Sequence, residues 1–145
     1  MYYNEDELFT FENPIIDILT AEQHEPDWLV KDLLLQGTVV LVGGEAGSGK
    51  SYLCYTLGLA LAGGCAALSG IIPAGAPRRV LYFDQENSRQ NRDKYLSRAW
   101  YGLMVSGHTP DLGLLYDNFF PVHFALGNDD WAAVAEQYIQ HLKPA

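Results

Sequence analysis

Residues 44 to 51 read Gly44-Glu45-Ala46-Gly47-Ser48-Gly49-Lys50-Ser51, a full match to the spacing G-x-x-x-x-G-K-[ST]. Each position suits the phosphate tail of a nucleoside triphosphate. The glycines let the backbone curl so that successive N–H groups point inward at phosphate oxygens. Lys50 is long enough to reach the β and γ phosphates, where it would act in catalysis as well as binding. The Ser51 hydroxyl suits Mg²⁺, an ion that takes oxygen ligands and usually shares them with phosphate. A helix starting near Gly49 would turn its positive end to the same anion. All eight residues, Gly44 to Ser51, are therefore candidate ligand contacts, with Ser51 the candidate metal ligand.

Such a loop needs a strand before it and a helix after it. Thr38-Val39-Val40-Leu41-Val42 is a β-branched apolar run between Gly37 and Gly43-Gly44, which predicts a short buried strand of a parallel sheet. Ser51 to Ala62 has no proline, and Leu53, Leu57, Ala60 and Leu61 fall at helical spacing. Gly63-Gly64 is expected to end that helix. A dinucleotide fold is disfavoured, because its G-x-G-x-x-G spacing is missing and would leave Lys50-Ser51 unexplained.

A second group of polar residues follows the apolar run Val80-Leu81-Tyr82-Phe83, itself a predicted strand: Asp84-Gln85-Glu86-Asn87-Ser88. In open α/β sheets ligands bind at the C-terminal ends of strands, which puts Glu86 on the same rim as the phosphate loop. Its plainer reading is a loop or helix-cap carboxylate. Asp84 is expected to face the sheet or pair with an arginine. Residues 89–101 read as a helix, 106–118 as a weakly ordered loop, and 121–126 as a third strand. Asn128 or Asp129 would cap a last helix striped by Trp131, Val134, Ala135, Tyr138, Ile139 and Leu142. Strand and helix alternate three times, so the fold class is α/β with a mostly parallel sheet flanked by helices.

The chain has 145 residues and 48% apolar content, enough for one domain with a core. Its net charge of −9 is uneven: residues 1–32 hold nine acids and one base, the rest nine acids and eight bases. This marks residues 1–27 as an acidic arm, carrying apolar spots able to pack, ahead of a near-neutral domain at 28–145. The arm favours solubility or a basic partner over nucleic acid. Six of the nine bases lie between Arg78 and Arg98, a solvated helix face or a contact to a neighbouring subunit or nucleic acid strand. Cys54 and Cys65 lack metal-ligand spacing and read as small apolar residues in a reducing cytoplasm. His24, His108, His123 and His141 are scattered and read as ordinary histidines. Ser51 to Pro77 carries no charge, but Gly63-Gly64 and Pro73 interrupt it, which argues against a membrane span. The acidic start is no signal peptide.

Together, Trp28-Leu29-Val30, the loop Gly44 to Ser51, and the segment from Val80 to Ser88 make residues 28–145 resemble the RecA-like ATPases, and within them the RepA-type plasmid replicative helicases. The resemblance implies ATP as the nucleotide and Mg²⁺ as its ion. It assigns Glu86 to polarising the attacking water. It further implies a homo-oligomer, in the extreme a hexameric ring, and single-stranded DNA as a partner in replication or recombination. In that family the Mg²⁺ aspartate lies on a strand beyond a helix like 129–142. The expectation is therefore an ATPase core continuing past Ala145, with the 145 residues alone hydrolysing poorly. Two other functions fit the loop: a nucleotide or small-molecule kinase, and a non-catalytic ATP-binding module.

Overall fold

The computed structural model describes residues 25–84, 87–123 and 131–142. In chain order the elements are β1 (Trp28–Val30), β2 (Leu34–Leu35), α1 (Lys50–Gly63), β3 (Val80–Asp84), α2 (Arg89–Val105), α3 (Leu112–Asn118), β4 (Phe119–His123) and α4 (Trp131–Leu142). A short 3₁₀ turn, Leu68–Gly70, lies between α1 and β3.

Helix α1 follows from its composition. It has no proline and is rich in Leu and Ala, and Gly64 stops it in a left-handed conformation at φ 65°. There the Gly64 N–H bonds the carbonyls of Ala60 and Leu61, closing carbonyls that the helix end leaves open. Tyr55, Leu59, Ala60 and Ala62 are buried along it. Each fully buried large side chain contributes about 1.5–3 kcal/mol by leaving water. Gly58 is the point of closest approach: a Cβ there would lie 2.9 Å from Phe119 Cε2 and 3.5 Å from Val80 Cγ1.

Strands β3 and β4 pair in parallel, from Val80↔Phe119 through Asp84↔His123. Side chains alternate across a strand, and the two faces meet different helices. On one face Val80 approaches Gly58 of α1 and the Tyr82 ring stacks on Tyr55 at 4.3 Å. On the other, Phe83 meets Tyr138 of α4 edge-on at 6.4 Å, and Leu81 and Phe120 share a small cavity with Ile139 and Leu142. Arg79 fastens this face by donating to the Leu142 carbonyl at 2.6 Å. Helix α2 lies against α1 through its buried Ala99 and Leu103. The result is helix, parallel strands, helix: an α/β layering.

Several expectations need correction. Thr38–Val42 forms no strand. Val39 and Leu41 are 100% and 94% exposed, and no described strand pairs with the run. β-Branched residues favour extension, but a strand exists only where a neighbour completes its hydrogen bonds. For the same reason the described sheets are two-stranded: the parallel β3–β4 and an antiparallel β1–β2 hairpin, rather than one large parallel sheet. Residues 106–118 are not simply a loop. Asp111 accepts from the Leu114 N–H at 3.0 Å and starts α3, an N-cap signal that the sequence carries plainly. The third strand begins at Phe119, two residues earlier than expected. Residues 124–126, the cap at 128–129 and nearly all of the acidic arm lie outside the described residues.

Two glycine substitutions should separate packing from propensity. Gly58→Leu forces a side chain into Phe119 and should destabilise by about 1–3 kcal/mol. Gly102→Ala lies in α2, where a Cβ meets nothing within 4 Å, and should stabilise by about 0.8–1 kcal/mol. Urea unfolding midpoints moving in opposite directions would bear out both.

Candidate functional site

The eight predicted loop residues lead into the N-terminus of α1. Gly47 and Gly49 have φ of 78° and 91°, a left-handed conformation that side chains with a Cβ resist. At Gly44 a Cβ would fall 2.9 Å from Ser48 Oγ, so glycine permits the tight curl. The Ser48 N–H donates to the Glu45 carbonyl at 3.2 Å. Gly49 is the N-cap of α1 and makes no side-chain cap bond, and the first turn carries no acidic residue. The leading N–H groups of α1 are thus uncapped, at the helix end that attracts anions. Lys50 is half-buried, and its Nζ donates to the carbonyls of Gly44 and Glu45, each at 2.8 Å. That places the ammonium across the loop, where it can exchange carbonyl oxygens for phosphate oxygens.

A cleft of about 210 Å³ opens here. Its wall comprises Ala46 to Ser51 together with Tyr52, Asn87 and Tyr95. The last three were not singled out from the sequence. Tyr52 and Tyr95 meet edge-to-face at 4.9 Å, and Arg98 Nη1 donates to the Tyr52 hydroxyl at 2.8 Å. The signal for Asn87 was present, since it immediately follows Glu86 at the end of a predicted strand. The signal for Tyr52 and Tyr95 was not, because α1 and α2 meet only in three dimensions.

Glu86 itself lies outside the described residues; its neighbour Asn87 lines the cleft. The helix-cap role falls to Ser88, whose Oγ accepts from the Asn91 N–H at 3.3 Å. Asp84 is 4% exposed and pairs with no arginine. Its Oδ2 accepts from the Tyr55 hydroxyl at 2.5 Å, and its Oδ1 from the Asn87 backbone N–H at 3.0 Å. Of the basic cluster, Arg92 pairs with Asp93 at 2.7 Å, while Arg98 and Arg79 are held as described. Among the described residues no group of three His, Cys, Asp or Glu is placed to hold a metal ion. No described helix is long and apolar enough to cross a membrane.

The family model for the AAA domain matches residues 5–141. The chain belongs to that family. It is a P-loop ATPase of α/β fold. No curated protein and no solved structure matches the chain.

The tyrosines under the cleft give this AAA-domain protein a pH signature. Burial, and then the charges of Cys54 and Asp84, push the Tyr82 phenol up to about 12. Burial first, and the hydrogen bond to Asp84 second, also raise Tyr55. The unfolded chain releases these protons near the ordinary value of about 10, whereas the folded chain retains them. The Tyr82 contribution to stability is therefore complete below about pH 10 and is lost as pH rises through about 12, and that of Tyr55, raised further, declines over the same window and beyond it. Urea melts between these pH values should show a decline in stability that Tyr82→Phe makes shallower.

Proposed function

We propose that this protein is an ATPase of RecA-like type, working as a subunit of a homo-oligomer on single-stranded DNA in replication or recombination. One observation carries the reading: the uncapped head of α1, the curled glycine loop and Asn87, three residues past β3, all border one cleft.

The residues fit a triphosphate with its ion. Backbone N–H groups from Ala46 to Ser51 and the Lys50 ammonium supply donors but little competing negative charge. Ser51 supplies one oxygen. The scarcity of carboxylates among the described lining residues suits Mg²⁺, which takes few protein ligands and shares the rest with phosphate and water. Ser51 would help hold Mg²⁺, which when bound would supply neutralisation of charge on the β and γ phosphate oxygens. Lys50 neutralises charge on the same oxygens and holds the γ-phosphate in place. Glu86 acts as the base: the oxygen of a water forms a bond to γ-phosphorus, the bond to the β-bridging oxygen breaks, and the water proton passes to the carboxylate. ADP and inorganic phosphate leave. The basic run from Arg78 to Arg98 offers cations to a neighbouring subunit or a nucleic acid backbone. The RepA-type helicase resemblance and a cytoplasmic location belong to this same reading.

Three measurements test it in the intact protein. Lys50→Ala should weaken Mg·ATP binding roughly 10- to 100-fold, the loss of a charged hydrogen bond worth about 1.5–3 kcal/mol. Glu86→Gln should retain binding and lower kcat by about 10²–10⁴-fold. Single-stranded DNA should raise the wild-type turnover. Transfer of phosphate to an added acceptor would instead mark a kinase, and binding without turnover a docking module.

A further inference from the structure

Asp84 stands at a junction that the ATPase reading does not use. It is the only buried charged side chain among the described residues, and a buried carboxylate is tolerated only when well hydrogen-bonded. Its bonds come from two residues. The Tyr55 hydroxyl reaches Oδ2 at 2.5 Å. Asn87 gives its backbone N–H to Oδ1 at 3.0 Å and its side-chain Nδ2 to both oxygens, at 3.2 and 3.1 Å. Tyr55 is four residues beyond Ser51 on α1, so the two share a helix face one turn apart. The carboxylate therefore ties the helix bearing Lys50 and Ser51 to the residue that follows Glu86.

The tie also fixes how the Asn87 amide is turned. A carboxylate only accepts, so the amide must present its NH₂ to Asp84. The acceptor Oδ1 is the atom left over. No described residue donates to it, and Asn87 lines the phosphate-loop cleft.

We propose that Asn87 is a catalytic residue whose Oδ1 accepts a hydrogen bond from the water that attacks the γ-phosphate, and that Asp84 and Tyr55 are positioning residues that set its amide. The proposal rests on the hydrolytic reading above. The water has two protons. One passes to the base of that reading as the water oxygen bonds to γ-phosphorus and the bond to the β-bridging oxygen breaks, and the other stays on the water oxygen, held toward Asn87. Orientation of the water is the whole effect, so nucleotide affinity is not involved.

Asp84→Asn is the obvious variant, but it places a second amide in the core and can fail to fold. Tyr55→Phe keeps the ring that stacks on Tyr82, and Asn87→Ala trims a half-buried side chain, so these two carry the test. Steady-state hydrolysis and titration with a fluorescent ATP analogue are measured for wild type, both variants, the double variant and Lys50→Ala. Asn87→Ala should lower kcat roughly 10- to 100-fold, the scale expected for a misplaced reactant, with Mg·ATP affinity changed by less than about twofold. Tyr55→Phe should lower kcat less, and should have no further effect once Asn87 is alanine, because it acts through that amide.

An unchanged kcat in Asn87→Ala overturns the proposal while leaving the ATPase reading intact. So does a Tyr55→Phe loss of the same size in both backgrounds, which marks a merely structural bond. Equal loss of affinity and kcat in Asn87→Ala overturns it in favour of ground-state binding. Absence of any Lys50-dependent hydrolysis in the wild-type protein overturns both.

Discussion

One helix carries two incompatible demands, and the rest of the structure is arranged around them. The body of α1 must be buried, with Tyr55, Leu59, Ala60 and Ala62 closed off from water. Its first turn must stay open, since uncapped N–H groups are what an anion recognises. A helix end left uncapped inside a core would cost the desolvation of several donors. Placing that end at the rim of β3 resolves the conflict. Gly58 makes the placement possible, because any larger residue would hold α1 off Phe119.

The alternation of β3 then distributes the work. Even-numbered Val80, Tyr82 and Asp84 face α1, whereas Leu81 and Phe83 face α4. The first face is the chemical one. It carries stacked aromatic rings inward from the cleft and a carboxylate at the strand end, where the rim begins. The second face is purely structural, an apolar contact closed by the Arg79 bond to the end of α4. A parallel pair flanked on both sides in this way needs apolar residues at every strand position until the rim, and Asp84 is the first departure from that run.

Electrostatics follow the same division. The α1 side of the cleft supplies positive potential from Lys50 and a helix terminus, without acids in the first turn. Among the described residues the buried negative charge is that of Asp84, whose oxygens are occupied by Tyr55 and Asn87. The nine acids of residues 1–32 are kept apart from this arrangement in sequence.

Much of this was legible in the chain itself. The loop from Gly44 to Ser51, α1 with its glycine stop, β3, α2 and the stripe of α4 are local patterns, set by spacing, backbone freedom and the absence of proline. Asp111 as a helix cap is an equally local signal. The apolar run at Thr38–Val42 shows where local pattern stops, because strand formation is decided by a partner elsewhere in the chain. So is the wall of the cleft. Tyr52 is far in sequence from Asn87 and Tyr95, and only the crossing of α1 with α2 brings it to them. Sequence alone determined that a glycine-rich turn would form at the head of a helix, since glycine conformations and a lysine at fixed spacing are properties of eight consecutive residues. Asn87, three residues on, is a local partner of Asp84, but tertiary structure alone decided that its other donor would be Tyr55 and not an arginine, because which distant donor reaches a buried carboxylate depends on how the helices pack around it.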